Sequence, residues 1–194
     1  AMRAKDVPQW YIDSCNKIQY MFPKAHAAAY TIASLRLAWF KVYQPVAYYA
    51  AYFTIKRDFF DGELVMKGKA RIEERLKTLR EMPNPTAKDE GNIIILRIVL
   101  EMLARGFSFL PVEIGKSEAT YFIPENGKIR LPLCSLNGLG ESVAEKIVEV
   151  VKNGEASTIE ELRVKAAVNK SIMDLLSKNN CFGDIPESDQ LTMF

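Results

Sequence analysis

Residues Ser135-Leu136-Asn137-Gly138-Leu139-Gly140-Glu141-Ser142-Val143-Ala144-Glu145-Lys146-Ile147-Val148 confine this part of the chain to a sharp turn that launches a helix. Two glycines one residue apart permit backbone geometry that a β-carbon obstructs. Val143, Ala144, Ile147 and Val148 recur at helical spacing and mark one buried face. With Leu139 tucked between the flanking helices, the turn and the first amides of the new helix face outward. Those N–H groups lack partners within the helix and lie at its positive end, so they suit a phosphate oxygen. Asn137, Gly138, Leu139 and Gly140 form the turn, Ser142 adds a hydroxyl, and Lys146 adds a charge one turn later. Such contacts position a duplex without reading its sequence. The competing reading is an αα-corner in which the glycines serve only tight packing.

The rest of the chain divides by texture. Pro23 and Pro45 open two helices over roughly 23 to 43 and 45 to 57, and pairs such as Tyr20/Lys24 and the aromatic Trp39/Tyr43 and Tyr48/Tyr52 follow helical spacing. Asp61 caps a third helix running to about Glu81, which Pro83-Asn84-Pro85 closes, and a fourth spans about Asp89 to Ala104 and stops at Gly106. After Gly106, Thr120–Ile123 and Lys128–Leu131 read as strands joined through Asn126-Gly127, a strong hairpin signal. Three short amphipathic helices follow, near Ser142–Lys152, Thr158–Ala166 and Asn169–Lys178. The last of these opens a second, degenerate hairpin without a glycine pair and is expected to pack rather than bind. The polar stretch 183–189 is expected to be mobile. The fold class is therefore mainly α with a small β-hairpin, the change of texture falling near 106 to 112.

The overall charge of +2 conceals an asymmetry. Residues 1 to 57 carry eight Lys or Arg against Asp6 and Asp13, a net of +6, so the remainder sums to −4. A basic segment suits a polyanion, because each neutralised phosphate releases counterions. A solvated helix surface is the plainer explanation. No apolar run approaches the roughly 20 residues that cross a bilayer, and the first residues lack a secretion signal, so no membrane partner is expected. Three dispersed cysteines and one histidine do not compose a zinc site, and a cytoplasmic location follows.

Phe22-Pro23-Lys24-Ala25-His26-Ala27-Ala28-Ala29-Tyr30 lies at a predicted helix start. Lys24 and His26 share the helix dipole as a potential anion site, and Tyr30 sits one turn beyond His26. Arg36 is a further candidate on charge alone. A histidine in a purely structural role is the alternative. Together with Trp10–Cys15, Tyr20–Met21, Phe40-Lys41-Val42, Tyr48–Phe53, Arg105–Phe109 and the glycine turn, which has the helix-hairpin-helix pattern, this block resembles the PolC-type bacterial DNA polymerase III α subunit. The resemblance covers essentially the whole chain, with residues 58 to 105 the least distinctive. It implies a fingers segment at 1–107 in which Lys24 and His26 contact a deoxynucleoside triphosphate, with Tyr30 and Arg36 as the further nucleotide-binding candidates argued above from spacing and charge. It further implies a helix-hairpin-helix domain at 108–185 that holds primer-template DNA, and a flexible tail at 186–194.

That tail ends in Gln190-Leu191-Thr192-Met193-Phe194, which looks like a bacterial sliding-clamp binding peptide; Thr192 and Met193 depart from the commoner residues. Leu191, Met193 and Phe194 are apolar groups with no evident core to join, and such a tip has a partner. A tail folded back on the core is the alternative. No constellation for two-metal phosphoryl transfer is present: Asp58 and Asp61 read as a helix entrance and its cap. The resemblance places the catalytic aspartates and their Mg²⁺ in a palm upstream, so this segment needs no cofactor, is inactive alone and works with the remaining polymerase domains at the nucleoid. The rival is a stand-alone helix-hairpin-helix protein of repair or recombination. A reading frame starting at Met2 would favour it.

Overall fold

The computed structural model describes residues 1–18 and 22–188; Gln19, Tyr20 and Met21, and the whole peptide Gln190-Leu191-Thr192-Met193-Phe194 with Asp189, lie outside them. The chain forms two compact units, Ala1–Val42 and Tyr43–Phe194. The first contains α1 (Gln9–Lys17) and most of α2 (Lys24–Tyr43). Pro23 offers its carbonyl to the Ala27 amide at 3.0 Å, so it begins α2 as a first-turn proline should. No residue of α2 is buried, although Tyr30, Ile32, Leu35, Leu37, Trp39 and Val42 are all apolar and exposed.

The second unit is mostly helical. It comprises α3 (Pro45–Ile55), α4 (Gly62–Met66), α5 (Lys69–Arg80), α6 (Ala87–Ala104), α7 (Glu141–Lys152), α8 (Ile159–Lys165) and α9 (Lys170–Lys178). Asp61 caps α4 by accepting from the Leu64 amide, 2.9 Å. The single helix expected from Asp61 to Glu81 is in fact two. Gly68 takes φ +91 and breaks it, a conformation that costs a residue with a β-carbon. Thr86 and Asp89 form a reciprocal capping box at the start of α6, two residues earlier than the apolar pattern suggested.

The three short strands β1 (Phe109–Leu110), β2 (Ile123–Glu125) and β3 (Lys128–Arg130) pair in the order β1-β3-β2. β2 and β3 are antiparallel through Asn126-Gly127, whose φ values of +50 and +77 are those of a type I′ turn. β1 runs parallel to β3, with Phe109 opposite Ile129, and nothing in the local sequence announced it. Arg130 is 4% exposed, yet ion-paired to Glu125 and Glu113 and donating to the Pro111 carbonyl, so its charge is compensated on burial.

One hydrophobic core runs from Tyr49 to Cys181 and crosses the change of texture at 106 to 112 without a gap. Phe53 lies at its centre, with ring centroids 5.2 Å from Phe60, 5.6 Å from Phe109 and 5.7 Å from Phe122. Arg105-Gly106-Phe107 proves to be a helix stop and clamp. Gly106 turns the chain at φ +86, and the Arg105 guanidinium sits over Tyr49 and Phe107 while donating to the Tyr49 hydroxyl at 3.0 Å. Residues 183–188, part of the stretch expected to be mobile, make backbone contacts to α8. The Pro186 and Glu187 carbonyls accept from the Ile159 and Glu160 amides at the start of α8.

Candidate nucleic-acid interface

The approach to the glycine turn is a 3-10 turn over Leu133–Ser135. The Leu133 and Cys134 amides fasten it to the carbonyls of Glu118 and Ala119, at 2.9 and 3.0 Å. Gly62 of α4 lies flat against it, and a β-carbon there would stand 2.6 Å from the Ser135 hydroxyl and 2.8 Å from its carbonyl. A rigid platform therefore presents the turn.

Leu136, Asn137, Gly138 and Leu139 form a β-turn closed by the Leu139 amide donating to the Leu136 carbonyl, 3.1 Å. Gly138 occupies its third position at φ +99, where the backbone demands glycine. Leu139 turns inward, 4% exposed, as its position between the helices predicts. Gly140 differs from the sequence-based expectation. Its φ of −71 suits any residue, and a β-carbon there would meet nothing within 4 Å. The fold of the chain itself does not require this glycine.

α7 starts at Gly140 with no capping side chain. Among the described residues, the amides of Gly140, Glu141 and Ser142 find no acceptor, while Val143 and Ala144 donate to the Gly140 carbonyl. Asn137, Gly138, Gly140, Ser142 and Lys146 are all exposed, so the turn, the helix start, a hydroxyl and a cation occupy one accessible stretch. The second hairpin has the same backbone plan: Ala167 at φ +52, Val168 buried, and Asn169 as the cap. There the Asn169 side chain accepts from the Ile172 amide at 2.9 Å and fills the helix entrance.

Sequence reasoning missed the partner of this turn. A groove runs between Arg57, Asp58 and Phe60 on one side and Leu136–Glu141 on the other, with Cys134 in its wall. Across it the Arg57 Nε donates to the Glu141 carboxylate at 2.6 Å. That bond holds the Glu141 carboxyl below the usual range and raises the Arg57 guanidinium. Burial pushes the Cys134 thiol up to about 11, so it stays protonated. No spacing rule connects residues 84 apart, and Arg57 carries no local signal beyond its charge.

The other candidates lie on α2. Phe22, His26 and Tyr30 meet along one face in tilted and edge-on contacts, with ring centroids 4.8 and 4.4 Å apart, and Lys24 is exposed at the first turn. Arg36 does not join them, since ten residues of α-helix place it roughly 15 Å along the axis from His26 and well round the cylinder. Among the described residues, no group of three or more His, Cys, Asp and Glu could hold a metal ion. No described helix is long and apolar enough to cross a membrane.

A family model described as a helix-hairpin-helix motif matches residues 106–191. Similar proteins include the DNA polymerase III PolC-type of Thermotoga maritima, 45% identical over 193 residues, and that of Clostridium perfringens, 44% identical over 194. The protein of the same name from Bacillus cereus is 42% identical over 194 residues. Each match takes in 100% of this chain but only 13–14% of the relative. The chain is thus a homologue of one segment of the PolC-type DNA polymerase III family, a segment that carries a helix-hairpin-helix motif.

Proposed function

We propose that the chain is the C-terminal portion of a bacterial replicative DNA polymerase and that its hairpin holds primer-template duplex by the backbone. The observation that carries this reading is the open start of α7: uncapped amides beside two exposed glycines, with Ser142 and Lys146 alongside. Phosphate oxygens suit such amides, and contacts to them carry no sequence information. Homology that extends over residues 1–105, ahead of the hairpin motif, favours this reading over a stand-alone hairpin protein.

On the same reading, Lys24, His26 and Tyr30 at the start of α2 help position the incoming triphosphate, with Arg36 a more distant contributor. The exposed apolar residues of α2 support a place among the remaining polymerase domains, because a helix apolar on every side is one that neighbours cover. Template-directed nucleotidyl transfer and its Mg²⁺ belong to a palm elsewhere in the longer protein, and the segment alone does not polymerise. The peptide Gln190–Phe194 tethers a sliding clamp. The protein works in the cytoplasm at the nucleoid.

The test is titration of the chain with a labelled duplex of arbitrary sequence at several salt concentrations. Binding should weaken linearly on a log–log salt plot, and the Gly138→Ala/Gly140→Ala pair should bind less tightly with a shallower slope. A pair that binds as the parent does would remove the hairpin from the interface.

A further inference from the structure

The start of α7 carries its own anion. Glu141 is the first residue of the helix, so an acidic side chain shares the first turn with the free amides. An unpaired carboxylate at that pole competes for the amides and repels the incoming oxygen. Arg57 prevents both. It reaches across the groove from the connection between α3 and α4, fixed by Nη1 donating to the Thr54 carbonyl at 3.3 Å, and its Nε takes the Glu141 carboxylate. The remaining charge on the Arg57 side of the groove is Asp58, an anion, and the Cys134 thiol is neutral. Neutralisation of Glu141 within the groove therefore falls to Arg57.

Resting on the duplex-binding reading above, we infer that Arg57 is a positioning residue of the hairpin: it neutralises Glu141 and holds its carboxylate in the groove, leaving the α7 amides open to phosphate. Two of the three guanidinium nitrogens are engaged by protein groups, which suits a residue acting through Glu141 rather than on DNA. The pair is a surface one, with side chains 33% and 47% exposed, so its loss leaves the core untouched.

The full chain and its R57Q, E141Q and R57Q/E141Q variants are titrated with a labelled duplex at low and moderate salt, with thermal melts recorded beside them. R57Q should bind about five-fold more weakly, the scale of one like-charge contact at about 4 Å in bulk water. The deficit should narrow as salt rises. E141Q should bind at least as tightly as the parent, and the double variant should recover the parent affinity, an outcome that a merely structural role would not give. R57Q binding like the parent overturns the inference alone. A double variant as weak as R57Q also overturns it, because Arg57 then grips DNA directly or supports the fold. A parent chain that binds no duplex at any salt overturns the duplex reading, and the inference with it.

Discussion

At the scale of single residues, the two glycines of the turn have different jobs. Gly138 is required by its backbone angle, so Gly138→Ala should lower stability by about 1–2 kcal/mol, the cost of a left-handed L-residue. Gly140 is required by nothing in the chain, so Gly140→Ala should leave the melting temperature unchanged and weaken duplex binding alone. Thermal melts and titrations of the two single variants check this division; equal destabilisation by both would refute it. Arg130 and Glu125 supply a second residue-scale prediction. The Arg130 hydrogen bond holds the Glu125 carboxyl below the usual range, so the folded state binds its proton less readily than the unfolded chain does. The stability this contributes is full above the unfolded value of about 4.3 and is lost as pH falls through the lower folded value. Melts of the parent and Glu125→Gln should therefore differ at pH 7 and draw together as pH falls through the folded value. Neither the buried charge of Arg130 nor its partners Glu113 and Pro111 could be read from the sequence, because their association depends on strand pairing and a loop closing over it.

At the scale of elements, helices and the two-residue hairpin turn were legible because their causes are local. Apolar spacing, Pro45 at a helix start, Asp61, Thr158 and Asn169 as caps, and Asn126-Gly127 at positive φ all act within a few residues. β1 was not legible: two residues in parallel register to a strand twenty positions on leave no periodic signal. The break at Gly68 was legible in kind and overlooked, a lone glycine within an otherwise helical run. Gly62 shows how elements couple. Its missing β-carbon lets α4 lie against the 3-10 turn that presents the hairpin. Gly62→Ala should cost about 1–3 kcal/mol through overpacking against the Ser135 backbone, and duplex binding should weaken with it. A variant that melts like the parent would show that α4 moves freely there.

At the scale of the whole molecule, the least distinctive stretch of sequence, 58 to 105, turns out to carry much of the core and one wall of the groove facing the hairpin. The change of texture at 106 to 112 marks the passage from helix to sheet, not an interruption in packing. The tail prediction belongs here, since it concerns an assembly: deleting Gln190–Phe194 should abolish capture by a bacterial sliding clamp in a pull-down, and retained capture would move that contact elsewhere. What the amino-acid sequence determined by itself was most of the helices, the Asn-Gly hairpin, the glycine turn with its outward amides and the polymerase resemblance, because each is written in neighbouring residues. Only the tertiary structure decided the Tyr49–Glu101–Arg105 network, the Arg130 cluster and the Arg57–Glu141 pair. Apart from Arg130–Glu125 across the hairpin, those contacts join positions 17 to 84 residues apart, and a side chain's partners at such separations are set by how the elements pack, which no local spacing records.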